Sequence, residues 1–115
     1  FIVPLTRYAY VLLKKAEALN EQGQPEQAIP LINEVRSVHG DMPPMTGTSQ
    51  EAVRAQIEHE RMIEFPLENY RWYDLRRWGK LSSALQAAGR TGCNDDKNSF
   101  YPTLLTELIA NDALK

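Results

Sequence analysis

Apolar residues recur at helical spacing along the first 40 positions of the chain. Between Tyr8 and Asn20 they stand three or four positions apart, and lysine and glutamate residues separate them. This spacing predicts an amphipathic helix, which the following Gly23 would end. A second stretch with the same spacing begins at Pro25, a residue type suited to a first helical turn, and closes at Gly40. The break between the stretches is short, so we expect an antiparallel helical hairpin.

The predicted hairpin matches one copy of a tetratricopeptide-like repeat. Small residues stand at Ala16 and Ala28, where the two helices would cross, and Gly23 stands in the turn. One copy cannot bury its own apolar face, so we expect further helices to pack against it. Pro30 interrupts the second helix, where a proline costs about 3 kcal/mol. We therefore expect a kink or a delayed start of that helix.

A proline-rich loop and a capping signal precede the third predicted helix. The segment 41–47 holds two prolines and a glycine, which favour a loop. Thr48 and Glu51 have the spacing of a capping box, with Thr48 as the N-cap. The helix should end at about Phe65, because Pro66 disfavours helix in the residue before it.

The rest of the chain also favours helices over strands. The remaining segments are predicted as a helix over 69–79, a shorter helix over 81–88, a surface loop over 89–99, and a tail over 101–114 that is extended at first and then forms a short helical turn. No segment alternates with the period of a strand. The predicted fold class is all-α: a tetratricopeptide-like hairpin packed with further helices, followed by an irregular carboxy-terminal tail.

Composition places the chain among ordinary globular domains. It has 115 residues, of which 43% are hydrophobic and 24% are charged, so we expect one domain and neither a fibrous nor a disordered protein. The net charge of −2 argues against a nucleic-acid partner. No apolar run approaches the roughly 18–20 residues that span a bilayer. The chain lacks an initiating methionine and a visible secretion signal, and we expect it to be a piece of a larger protein.

Searches for catalytic and metal motifs give no candidate. The chain has no phosphate-binding loop, no paired-cysteine spacing, no nucleophile elbow and no dinucleotide fingerprint. His59 and Glu60 begin a zinc-protease motif, but Ile63 stands where its second histidine is required. Cys93 is the only cysteine, which excludes an internal disulfide, and we interpret it as an incidental thiol. We therefore predict no enzyme activity, no metal and no cofactor.

Two carboxylates continue the apolar stripe of the third predicted helix. Val53 and Ile57 are followed at the same spacing by Glu60 and Glu64. Carboxylates on a core-facing stripe are costly unless they are paired, and the arginine fork pairs with them through two bonds. We predict a structural ion-pair network that fixes the docking angle of the fourth helix; its members are Glu60, Arg61, Glu64, Arg71, Asp74, Arg76 and Arg77. The alternative is a pair of carboxylates in general acid–base catalysis.

The fourth predicted helix carries large apolar side chains on several sides. Such a helix is typical of the middle of a larger body. We expect Tyr73, Leu75 and Trp78 in the core. Trp72 is the candidate ligand-binding residue, because an aromatic ring can form a platform for a sugar ring or a partner protein.

Three blocks of sequence resemble the carboxy-terminal region of the SusD/RagB family. The first block is Arg7–Ala9 with 12–13, 16–20, Gly23 and 33–36. The second is Glu60–Arg61 with 64–65 and the run Tyr70–Gly79. The third is Tyr101–Pro102 with 106–108, 110–111 and Leu114. They keep the family's order and spacing and span nearly the whole chain.

The resemblance implies a nutrient-binding protein and not an enzyme. Members are cell-surface lipoproteins of Gram-negative outer membranes, all-helical with tetratricopeptide-like hairpins. They capture glycans or other nutrients and cover a TonB-dependent transporter. Their lipid-bearing cysteine lies at the mature amino terminus, which Cys93 does not match. Residues 1–115 would then be the carboxy-terminal part of one domain, with the amino-terminal part as partner and most ligand contacts elsewhere. The alternative is a free-standing tetratricopeptide-like adaptor for protein partners.

Overall fold

Helices make up the regular structure of the chain. The computed structural model describes residues 6–94, 105–111 and 113. Within these ranges there are helices and no strands, which confirms the all-α fold class. The helices are α1 (Tyr8–Glu21), α2 (Pro25–Gly40), α3 (Gln50–Glu64), α4 (Tyr70–Arg77), α5 (Leu81–Ala87) and α6 (Leu105–Ala110). None of them is both long and apolar enough to cross a membrane. The chain divides into two compact units, residues 1–71 and 72–115.

Helices α1 and α2 form the predicted antiparallel hairpin. Gly23 has a φ of +77°, and its N–H donates to the Asn20 carbonyl at 3.0 Å. The next N–H, of Gln24, donates to the Leu19 carbonyl at 3.0 Å. These two bonds are the Schellman ending of a helix, which favours glycine in the left-handed position. Pro25 then opens α2 directly, so the tight turn follows from the local sequence.

The loop between α2 and α3 runs back along α2. The Met42 N–H donates to the Arg36 carbonyl at 3.1 Å, and the Arg36 Nε donates to the Pro43 carbonyl at 2.8 Å. The Met45 N–H then donates to Oδ1 of Asn33, one turn earlier on α2, at 2.9 Å. This path returns the chain to the start of α2 before α3 begins. Helix α3 is therefore parallel to α2 and antiparallel to α1, whereas a short connection would have placed α3 antiparallel to α2.

The first unit has one apolar core between α1, α2 and α3. Its buried members are Ala9, Leu12, Leu13, Ala16, Ala28, Ile32, Val35, Val53, Ile57 and Phe65. Helix α3 thus covers the hairpin, as expected for a single repeat. Pro30 lies inside α2 on its exposed side, where the carbonyl that loses its donor can bond to water. The helix begins at Pro25, which rules out the delayed start, and the alternative of a kink at Pro30 stays a prediction.

The N-cap of α3 is Ser49, which corrects the prediction of Thr48. The Ser49 Oγ accepts a hydrogen bond from the Ala52 N–H at 3.2 Å. A Cβ on Gly47 would lie 2.5 Å from the Ala52 Cβ, so the chain passes very close to the first turn of α3 at this point. Glu51 still lies in the first turn, where a carboxylate is favourable.

The second unit contains most of α4, then α5 and α6. Leu75 and Leu81 are buried, as predicted for Leu75, and Trp78 is half-buried. Tyr73 is 61% exposed, so the prediction of a core position for it is wrong. In the described residues, only one side of this two-turn helix is covered. The predicted extended entry of the tail lies outside the described residues, and α6 forms the helical turn expected after it.

Candidate functional site

Arg7 joins the ends of two helices in the first unit. It is the N-cap residue of α1, and its guanidinium donates to Glu64 Oε1 at 2.8 Å and to the Glu64 carbonyl at 2.8 Å. The same group donates to Glu68 Oε1 at 2.7 Å. These bonds, the one to Glu68 first, raise the pKa of Arg7 above its ordinary value. His39 Nδ1, from the end of α2, lies 2.6 Å from the same Glu64 oxygen. Three helix ends therefore meet at Glu64.

A second ion pair lies one turn further inside the bundle. The Arg36 guanidinium of α2 donates to Glu60 Oε1, and the Gln56 amide donates to the same oxygen at 2.6 Å. The side chains of Arg36 and Glu60 are 10% and 9% exposed. Because Arg36 also donates to the Pro43 carbonyl, this pair fixes the returning loop as well as α3.

Arg61 lies among aromatic rings. It is 3% exposed, and its guanidinium carbon is 4.9 Å from the centre of the Tyr10 ring and 5.3 Å from that of Phe65. Tyr70 extends the group, with its ring centre 4.7 Å from that of Tyr10. A cation over aromatic faces is stabilised electrostatically, more so when it is removed from water. Arg61 thus packs where the polar stripe of α3 meets the aromatic residues of α1 and α4.

The predicted network acquires partners that the sequence analysis did not name. Arg36 and His39 stand three residues apart on α2, and Glu60 and Glu64 stand four apart on α3. Because the two helices are parallel, Arg36 meets Glu60 and His39 meets Glu64. That spacing is visible in the sequence, but it has meaning only when the helices are parallel. Pairing of these carboxylates with arginines of α4 stays a prediction.

Asp74 is the buried acidic residue of α4. It is 3% exposed, and its Oδ1 accepts from the Arg77 Nε at 3.0 Å. Arg77 also lies over the Trp78 ring, with its guanidinium carbon 4.6 Å from the ring centre. Of the other predicted members, Arg76 is half-buried and Arg71 is exposed. The contact between Asp74 and Arg77, three residues apart, stabilises α4 itself.

Polar contacts also hold the opposite end of the three-helix core. The Asn20 amide donates to the Gln50 carbonyl at 3.0 Å, and the Gln50 amide donates to the Asn20 carbonyl at 2.6 Å. Beside them, Arg54 binds Glu21 through two bonds of 2.7 Å, and this contact lowers the pKa of Glu21. Asn20 is fully buried. From the sequence, Asn20 is predicted only as the end of the first helix.

These clusters are suited to holding helices together. The carboxylates of Glu60 and Glu64 are each engaged by cationic side chains at hydrogen-bonding distance. Within the described ranges, no group of three or more His, Cys, Asp or Glu side chains could hold a metal ion. His59 is exposed on α3.

An open cleft in the second unit is the candidate ligand site. Its volume is about 640 Å³, and it is lined by Trp72, Leu85 and the loop 89–93. Trp72 is 44% exposed, and Cys93 is half-buried in the wall. The structure thus places the candidate Trp72 at a concave surface, where an indole can contact a ligand.

Comparison with known proteins agrees with the resemblance noted in the sequence. The model of the SusD family matches residues 2–112. SusD-like protein P38 of Formosa agariphila is 34% identical over 119 residues, which cover 96% of this chain and 23% of that protein. SusD-like protein P2 of the same organism is 40% identical over 122 residues, which cover 94% of this chain and 24% of that protein. The chain therefore spans about a quarter of the length of these relatives. No solved structure matches it.

Proposed function

The chain belongs to the SusD family, and we propose that it is part of a cell-surface protein that captures a glycan or another nutrient for a TonB-dependent outer-membrane transporter. The observation that carries this proposal is the match to the family model, which covers residues 2–112 and therefore nearly the whole chain. The protein acts by binding rather than by catalysis. It is attached to the outer membrane by a lipid on an amino-terminal cysteine that lies outside this sequence.

The first unit serves as scaffold in this proposal. Its charged side chains are engaged in ion pairs between helices, and its core is apolar. This arrangement supports a rigid body rather than a reacting site.

The remaining part of the same protein packs on the outer face of α1. Tyr8, Val11 and Ala18 are exposed there at helical spacing, whereas the exposed side of α2 from Glu26 to Ser37 is polar apart from Pro30. An exposed apolar stripe marks a contact surface. Because the relatives are about four times longer than this chain, they contain ample sequence for such a contact.

Trp72 is the residue of this chain that we propose as a ligand contact. An exposed indole at a cleft offers an apolar face to a sugar ring. The other ligand contacts lie in the part of the protein outside this sequence.

Calorimetry on the complete protein that carries this chain tests the binding role. We expect saturable binding of at least one member of a panel of soluble glycans. Trp72→Ala should weaken it at least severalfold, and the matched control Tyr73→Ala, an exposed aromatic neighbour outside the cleft, should not. No binding across the panel would contradict the binding role. Binding that is unaffected by Trp72→Ala would place the site outside this chain.

Co-purification tests the transporter. When the complete protein is isolated from outer membranes in mild detergent, we expect a TonB-dependent transporter in stoichiometric amount. Its absence, with the protein itself recovered intact, would contradict the assignment of that partner.

A further inference from the structure

We propose that the cleft at Trp72 takes a negatively charged sugar, whose carboxylate or sulfate group binds Arg90. This inference rests on the proposed function and adds the chemical class of the ligand. It depends on two features of the second unit: the position of Arg90, and the two kinds of surface that meet in the cleft.

The second unit carries a small positive excess in a chain that is acidic overall. Residues 72–115 contain six lysine or arginine residues and five acidic residues, whereas residues 1–71 contain seven basic and ten acidic residues. Asp74 is buried and paired with Arg77, so the charges of these two residues offset each other. The second unit is therefore less repulsive to an anionic ligand than the first.

Arg90 is held at the wall of the cleft by the end of α5. Gly89 has a φ of +78°, its N–H donates to the Gln86 carbonyl at 2.9 Å, and the Arg90 N–H donates to the Leu85 carbonyl at 2.8 Å. This is the same ending that closes α1. It turns the chain so that residues 89–93 line the cleft. The backbone of Arg90 is thereby fixed while its side chain is exposed.

The guanidinium of Arg90 is suited to an anion from outside the unit. Among the described residues, no carboxylate forms an ion pair with it, in contrast to Arg7, Arg36 and Arg54. A planar fork of donors matches carboxylate and sulfate oxygens in two-bond geometry. An anionic ligand supplies the missing charge.

The same cleft also offers an apolar platform. Trp72 and Leu85 line it together with Arg90 and the hydroxyl-bearing Thr91. Its volume of about 640 Å³ is in the range of small-molecule sites. An acidic sugar presents both kinds of surface, because its ring has an apolar face and its substituent carries the charge. A simple inorganic anion would use Arg90 and leave Trp72 without a role.

Matched pairs of probes separate charge from ring stacking. The probes are trigalacturonate with its methyl ester, and dextran sulfate with dextran, each measured by calorimetry on the complete protein. We expect the charged member of at least one pair to bind at least tenfold more tightly than its neutral partner. Arg90→Gln should remove about tenfold of that preference, and Trp72→Ala should weaken both members. Arg71→Gln is the matched control, since it removes one exposed positive charge that does not line the cleft.

Each outcome decides the inference. The inference is overturned if Arg90→Gln leaves the preference for the charged probe unchanged, or if it has no larger effect than Arg71→Gln. Preference for the neutral members also overturns the inference, and binding of the neutral glycan then supports the proposed function. Failure to bind any probe of either pair overturns it as well, and the wider glycan panel then decides the proposed function separately. If anionic lipid vesicles compete with every probe, Arg90 recognises membrane and not sugar, and the inference is overturned.

Discussion

Removing one partner of the Arg36–Glu60 pair should cost more stability than removing both. Each side chain is about nine-tenths buried, so Arg36→Met strands a carboxylate inside the bundle and Glu60→Leu strands a guanidinium. Breaking a buried pair from one side typically costs 3–5 kcal/mol. The Gln56 amide still donates to Glu60 in the first variant, and the Pro43 carbonyl still accepts from Arg36 in the second. We therefore expect the lower end, about 3 kcal/mol, for each single variant.

The double variant has no stranded charge. Methionine and leucine place apolar volume where the stems of the two charged residues lie, and such replacements of buried pairs are often neutral. We expect the double variant within about 1 kcal/mol of the wild type.

Urea unfolding followed by helical circular dichroism measures these differences. A midpoint that moves at constant slope reports a change in stability rather than in the extent of structure. Arg54 and Glu21 provide the control cycle, because their side chains are 42% and 47% exposed and such pairs contribute about 0.2–1 kcal/mol. The reasoning is refuted if the two single costs simply add in the double variant, or if each is as small as in the control cycle.

Three further predictions concern helix ends and the Asn20 contact. Ser49→Ala should destabilise by about 1 kcal/mol, because it removes the cap of α3, while Thr48→Ala should change the urea midpoint little; the reverse order would contradict the assigned N-cap. Asn20→Ala should cost about 0.5–1.5 kcal/mol in the same assay, because it removes the side-chain hydrogen bond to the Gln50 carbonyl; no change would show that water replaces the contact. The lowered pKa of Glu21 means that its contact with Arg54 contributes above the ordinary carboxyl value of 4.5 and is lost as pH falls through the lowered value. Stability should therefore fall slightly less between pH 5 and 3, by about a few tenths of a kcal/mol, in Arg54→Gln than in the wild type, and a steeper fall in the variant would contradict this.

The candidate site was only partly predictable from the sequence. Trp72 stood out because the fourth predicted helix carries apolar side chains on several sides, and an aromatic ring among them can form a platform for a ligand. Arg90 did not stand out, since the loop 89–99 has no periodicity from which a contact with Trp72 could be inferred. The cleft exists only after the end of α5 turns the chain at Gly89. A surface assembled by such a turn leaves no repeating signal in the sequence.

The sequence by itself determined where the helices lie and which faces are apolar. These properties depend on residues three or four positions apart and on glycine and proline at the helix ends, so short stretches of sequence are enough to specify them. It also determined that carboxylates at Glu60 and Glu64 would need cationic partners. Only the tertiary structure decided that Arg36 and His39 would meet them. The reason is the path of residues 41–49, which retrace α2 and make α3 parallel to it, and no short-range rule for the chain specifies that path.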